Sequence, residues 1–315
     1  MQHDMSNTLS TQHPPRVLFL GMQSDFSPPS LRALLDNGVE VCAVVVPASQ
    51  PSGLDLPAIQ RREQPHTARP ILPLLHASVL QLAWAQHIPV WEVQRISDSE
   101  AISVLASYQP DIVCVSCFSQ RIPRTILDLP RLGCLNVHPS LLPANRGPVP
   151  LFWTFREGCE WTGVTIHLMD ESLDSGDILA QEPMLVPNGI SYAQLESQCA
   201  LRGGELLART VWDLYTGRAV RVPQDETKSS YHPFPSAQDF VVHPTEWSAR
   251  HVYNFLCGVT QWSGPIKLYV DGGYVVVQEA LSYSIGNTDN IPDVLRGELL
   301  IRCKVGWVKV KAALN

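Results

Sequence analysis

Two short runs near the start of the chain, RVLFLG at 16–21 and EVCAVVV at 40–46, are apolar on both of their alternating faces. Such strands must be covered on both sides, which is the condition of a parallel sheet between layers of helices. Between them, PPSLRALLDNG sets Leu31, Leu34 and Leu35 at helical spacing and ends at Gly38, so the unit reads as strand, helix, strand. The alternation continues through a helix in HASVLQLAWAQH, a strand in IPVWEV, a helix in SDSEAISVLASY with a Ser/Asp cap, and strands in DIVCVSCF and GCLNVH. An α/β fold is predicted, a Rossmann-like and mostly parallel sheet with flanking helices. The loop after the first strand holds only Gly21 and lacks G-x-G-x-x-G, so a dinucleotide cofactor is not expected.

The length of 315 residues exceeds the usual single domain, so a second unit is expected. A capped helix over 192–216, with Ser191 before it and Gly217 after it, closes a first, larger domain at 16–217. Residues 218–235, rich in Pro and turn formers, read as a linker. Beyond it, IKLYVDGGYVVVQEALSY reads as a hairpin about Asp-Gly-Gly and GELLIRCKVGWVKVKAAL as two strands about Gly306, giving a β-rich domain at 236–315. Residues 47–73 read as a long loop, whose Arg61, Arg62 and Arg69 read as solvated, with contact to a polyanion as the alternative.

The eight Cys are scattered, mostly inside apolar runs, which fits free thiols in a reducing compartment. The pair Cys114 and Cys117 has no second pair at zinc spacing, so no metal is expected. The first fifteen residues lack a secretory pattern and no apolar stretch reaches 18 residues, which places the chain in the cytoplasm with no membrane partner. A net charge of −7 gives no general attraction to phosphate backbones, and DNA is not an expected partner.

One stretch breaks the apolar pattern. In LNVHPSLLPANRG, residues 135–147, Asn136 and His138 share a strand face and Pro139 stops the strand after them. Asp174 follows in the loop DESLDSGDI, after a strand GVTIHLMD that can bring it back to the same place. A carboxylate orients and charges an imidazole, while an amide NH₂ and an imidazolium both donate to an oxyanion. With no Ser or Cys at a nucleophile elbow, the trio suits direct acyl transfer to a nucleophile that the second substrate brings. On the residues alone, a hydrogen-bonded core histidine with a turn-forming aspartate reads equally well.

The motifs NVHPSLLPANRGPVP and GVTIHLMDESLDSGDIL resemble the folate-dependent formyltransferases, whose pattern is an N-x-H strand end, an S-L-L-P-x-x-R-G loop and an L-D-x-G-D loop. The resemblance spans residues 16–215 and fades after about 228. It implies 10-formyltetrahydrofolate as formyl donor and an amine as acceptor, with Asn136, His138 and Asp174 catalytic. Protonated His138 and Asn136 would stabilise the oxyanion, and Asp174 would help take the proton lost by the amine. It also implies a folate pocket lined by Phe118, Arg121 and Ile122, by Ser140, Leu141, Leu142 and Pro143, and by Asp170. Arg146 either balances charge or fixes the loop.

Along the chain the resemblance is to the tRNA-acting members, so methionine on charged initiator tRNA is the expected acceptor. An amino sugar or other small amine, and hydrolysis of the folate with water as acceptor, are the alternatives. PVPLFWTF stands where tRNA-acting members have small residues, and His167 in TIHLMD is more like members acting on small amines. His167 itself reads as a strand-face residue. In the last hairpin Arg302 with Lys304, and Lys309 with Lys311, each share a strand face and read as a solvated, charge-protected edge that could also meet RNA phosphates.

Overall fold

The computed structural model describes residues 13–48, 57–65, 77–260, 262, 264–286 and 297–313. Eight strands form the larger sheet among these residues: β1 (Arg16–Gly21), β2 (Glu40–Pro47), β3 (Ile59–Arg61), β4 (Val90–Val93), β5 (Ile112–Ser116), β6 (Cys134–His138), β7 (Trp161–Leu168) and β8 (Ile178–Leu185). Their order is β3-β4-β2-β1-β5-β6-β7-β8. Strands β4, β2, β1, β5 and β6 run parallel, while β3, β7 and β8 join antiparallel to their neighbours. The strand at 59–61 lies inside the segment expected to be loop, and there Arg62 pairs with Glu92. Arg69 lies outside the described residues.

Helices α1 (Ser27–Asp36), α2 (Val79–Ala85), α3 (Ser99–Ala106), α4 (Arg124–Leu127), α5 (Pro150–Arg156) and α6 (Tyr192–Tyr215) pack around this sheet. Ser78 and Ser191 each form a capping box at the start of α2 and α6. The small residues Gly203 and Gly204 let α6 settle directly onto the sheet and onto α1: a Cβ on Gly203 would sit 2.6 Å from Val137, and one on Gly204 2.7 Å from the Pro29 carbonyl oxygen. Val137 is thereby turned toward α6, which sends Asn136 and His138 to the other face. Cys114 is fully buried in β5, and burial pushes its thiol well above the ordinary range.

A second sheet has the order β12-β13-β11-β10-β9, built from β9 (Val241–Val242), β10 (Ile266–Val270), β11 (Gly273–Ser284), β12 (Glu298–Arg302) and β13 (Trp307–Ala312). The chain turns between β10 and β11 through Asp271 and Gly272, both at positive φ. An unforeseen helix, α7 (Ala249–Val259), lies on this sheet and buries Val252, Phe255, Leu256 and Val259. The two sheets share one hydrophobic cluster, with Phe152 of α5 against Phe240, Phe255 and Trp262 at ring centroid distances of 5.3, 6.0 and 5.0 Å. Lys309 is buried against Glu298 at 2.7 Å, so it does not join the basic edge expected of it; Arg302, Lys304 and Lys311 remain exposed.

Candidate active site

Strand alternation builds the site. Leu135 and Val137 of β6 enter the core, as do Val164 and Ile166 of β7, so Asn136, His138, Thr165 and His167 occupy the opposite face. The antiparallel register sets Asn136 beside His167 and His138 beside Thr165. Two loops, 139–147 and 169–177, leave opposite ends of this strand pair and fold back over it. Each carries an Asn or Asp at positive φ, Asn145 at 59° and Asp174 at 55°, the residue types that best tolerate that backbone.

The polar groups meet at one carboxylate. Asp174 Oδ1 lies 3.4 Å from Asn136 Nδ2, 3.7 Å from His138 Nδ1 and 3.6 Å from His167 Nε2. Its Oδ2 accepts the Gly147 N–H at 2.9 Å. His138 Nε2 is 2.9 Å from the Asn145 carbonyl oxygen, which can only accept, so that nitrogen carries the hydrogen and Nδ1 faces Asp174. Burial lowers the His138 pKa despite the opposing pull of Asp174, leaving the ring neutral at neutral pH. Burial alone would raise Asp174, but the two imidazoles and the Gly147 N–H outweigh it and hold the carboxyl at about 2.

The structure thus brings Asn136, His138 and Asp174 together, and adds His167, which the sequence reading left as a strand-face residue. The signal was present: V-T-I-H alternates inward and outward, and an antiparallel partner of N-V-H puts His167 next to Asn136. The bare Nδ1 of His138 can take a proton, and the Asn136 amide can donate to an oxyanion. The carboxylate stabilises the imidazolium that results.

The other residues singled out in the sequence hold the loops around this centre. Ser140 Oγ donates to the Ala144 carbonyl at 2.7 Å, and Leu141 lies over Gly163. Leu142 is buried, its N–H donating to Thr165 at 3.3 Å and its carbonyl accepting from Gln181 at 2.9 Å. Pro143 follows a cis peptide bond, and its carbonyl accepts the Ser230 N–H at 3.2 Å. Phe118 packs against the second core cluster, in which Ile122 is buried. Arg121, exposed, donates to the Glu171 carbonyl at 2.9 Å, and Asp170 braces its own loop by accepting from the Ser172 N–H and the Ser175 hydroxyl, both at 2.9 Å.

The segment expected as a plain linker is part of the site's support. Its Ser230 and His232 bracket Arg146 with two backbone bonds of 2.9 Å, and Gln224 donates to the Asp174 and Gly176 carbonyls at 2.8 Å each. Arg146 binds Glu226 at 2.7 and 2.9 Å and Gln224 at 2.8 Å, so it fixes the loop. Gly147 has no room for a side chain, because a Cβ there would strike the His232 carbonyl. Nothing in the composition of 218–235 marks these contacts, which arise only once both loops are in place.

A family profile described as formyl transferase matches residues 15–211, and the chain belongs to that family; it is a transferase enzyme. The methionyl-tRNA formyltransferase of Syntrophus aciditrophicus (strain SB) is 38% identical over 321 residues, covering 90% of this chain and 96% of that one. Two solved structures are similar in fold at 15% identity. The N-formyltransferase from Helicobacter canadensis, in complex with folinic acid and dTDP-3-aminofucose, has a TM-score of 0.62 and covers 94% of this chain and 98% of its own. WlaRD, a sugar 3N-formyl transferase in the presence of dTDP and 5-N-formyl-THF, has a TM-score of 0.63 and covers 96% and 99%.

Proposed function

We propose that this formyltransferase moves the formyl group of 10-formyltetrahydrofolate to the amino group of methionine carried on initiator tRNA. The observation that carries the chemistry is the convergence of Asn136, His138 and His167 nitrogens on Asp174 Oδ1 within 3.4–3.7 Å. The similarity along nearly the whole length to a methionyl-tRNA formyltransferase supports the acceptor. A further observation fits a polar ligand beside His138: the buried Oδ1 of Asn145 has no hydrogen-bond partner among the described residues, and an orphaned acceptor suits an N–H of the folate or of the amine.

The folate supplies an activated formyl group. Asn136 donates an N–H to the formyl oxygen as negative charge develops there. His138 Nδ1 takes the proton that the amine loses as it bonds to the formyl carbon, ionised Asp174 stabilises the imidazolium, and the imidazolium returns the proton to the folate nitrogen as its bond to the formyl carbon breaks. The folate would be held by the loops at 118–123 and 139–147, both inside the stretch that matches the family. PVPLFWTF, which differs from the tRNA-acting pattern, has a packing reason: in α5 it buries Leu151, Phe152 and Phe155 at the joint between the sheets, so it does not argue for a different acceptor.

The test is an acceptor panel. Purified protein is given 10-formyltetrahydrofolate alone, with charged initiator tRNA, or with amino sugars, and tetrahydrofolate release is followed. Release that depends on the charged tRNA is expected. Release without any acceptor would identify a hydrolase, and release only with a sugar amine would overturn the tRNA reading.

A further inference from the structure

We propose that His167 is a positioning residue for formyl transfer: its unprotonated Nε2 accepts a hydrogen bond from the Asn136 amide and sets the plane in which Asn136 offers its other N–H to the formyl oxygen. The inference rests on the function proposed above and assigns a task to a residue outside the trio.

His167 is 1% exposed, so its ring nitrogens must be satisfied by neighbours. Nδ1 lies 2.8 Å from the carbonyl oxygen of Leu168, which only accepts, so Nδ1 carries a hydrogen. In the neutral ring Nε2 is then a bare acceptor, and Asn136 Nδ2 stands 3.2 Å from it. The orientation of the amide follows. Its other close neighbour is Asp174 Oδ1 at 3.4 Å, a second acceptor. Turning the Asn136 oxygen inward would set it against a carboxylate and leave the His167 nitrogen unmet.

Both hydrogens of the Asn136 amide are therefore directed, one at 3.2 Å and one at 3.4 Å near the limit of hydrogen bonding. The longer bond, to Asp174, is the one that yields when the formyl oxygen arrives. The bond to His167 keeps the amide from rotating while it does so. His167 Nε2 also stands 3.6 Å from Asp174 Oδ1. His138 faces His167 edge-on with ring centroids 6.3 Å apart, so the two imidazoles share that one carboxylate without touching.

The experiment measures formyl-methionyl-tRNA formation from 10-formyltetrahydrofolate and charged initiator tRNA. His167→Leu is expected to lower kcat by roughly 10- to 100-fold, the usual effect of removing a group that orients a functional ligand, with the KM for the folate nearly unchanged. His167→Gln, whose amide oxygen can accept in place of Nε2, is expected to recover most of the rate. In an Asn136→Ala background His167→Leu should cost nothing further, because the group it orients is gone. Melting curves establish that each variant is folded. The role is overturned if folded His167→Leu turns over at the wild-type rate, if Gln is as slow as Leu, or if the losses multiply in the double variant. A wild type that ignores tRNA but formylates an amino sugar overturns the acceptor instead, and the same three variants are then compared on that sugar.

Discussion

At Asp174 Oδ1 the nitrogens of one amide and two imidazoles stand 3.4–3.7 Å away, and the ionisation of this group and of His138 can be read from their surroundings. His138 has its pKa lowered by burial, so its folded-state value lies below the unfolded value of about 6.5. Stability from keeping it neutral is present above that pH and is lost as pH falls through the folded value. Asp174 is depressed to about 2. Its contribution is present above the unfolded carboxylate value of about 3.9 and is lost as pH falls toward the folded one. Activity that needs neutral His138 should fail as pH falls through the folded value of that ring. Asp174→Asn removes the charge that raises His138, so the acid limb of kcat/KM should move to lower pH while the rate at neutral pH drops by about 100-fold or more. Measurement of the pH–rate profile checks this, and a limb that stays or moves upward would contradict it.

Among the elements, the support of the site was harder to read than its centre. The strands, the capped helices and the hairpin at Asp271-Gly272 follow local rules that depend on near neighbours in sequence. The helix α7 carries its apolar residues at helical spacing, but its end FLCGV resembles a strand, and β8 includes Pro183 and alternates only weakly. The segment 218–235 looks like a linker because Pro and turn residues interrupt every period, yet it ties both loops of the site together through Gln224, Ser230 and His232. Gln224→Ala would leave the Asp174 and Gly176 carbonyls without their partner. A loss of roughly 1–3 kcal/mol in denaturant unfolding is expected, in line with unmet buried acceptors. Faster amide exchange across 170–176 should accompany it. Unchanged stability and exchange would mean that the segment merely passes by.

Across the whole molecule, the sheet and the Asn136–His138 pair were legible because strand alternation and motif spacing are properties of short stretches. His167 depended on an inter-strand register, and Lys309 on a partner, Glu298, eleven residues away. The joint between the sheets, where Phe152 meets Phe240, Phe255 and Trp262, is built from residues far apart in the chain and had no local signature. Long-range pairing is what the sequence pattern leaves open. The chemistry proposed above is centred where N-V-H and L-D-S-G-D meet, and one substitution tests it most directly. Transfer of labelled formyl from 10-formyltetrahydrofolate to methionyl-tRNA is followed in a single turnover by wild type and by His138→Ala, with folate binding measured on the same samples. The expected result is a loss of at least about 100-fold in rate with folate affinity largely kept; a folded His138→Ala that transfers formyl at a near-normal rate would contradict the assignment.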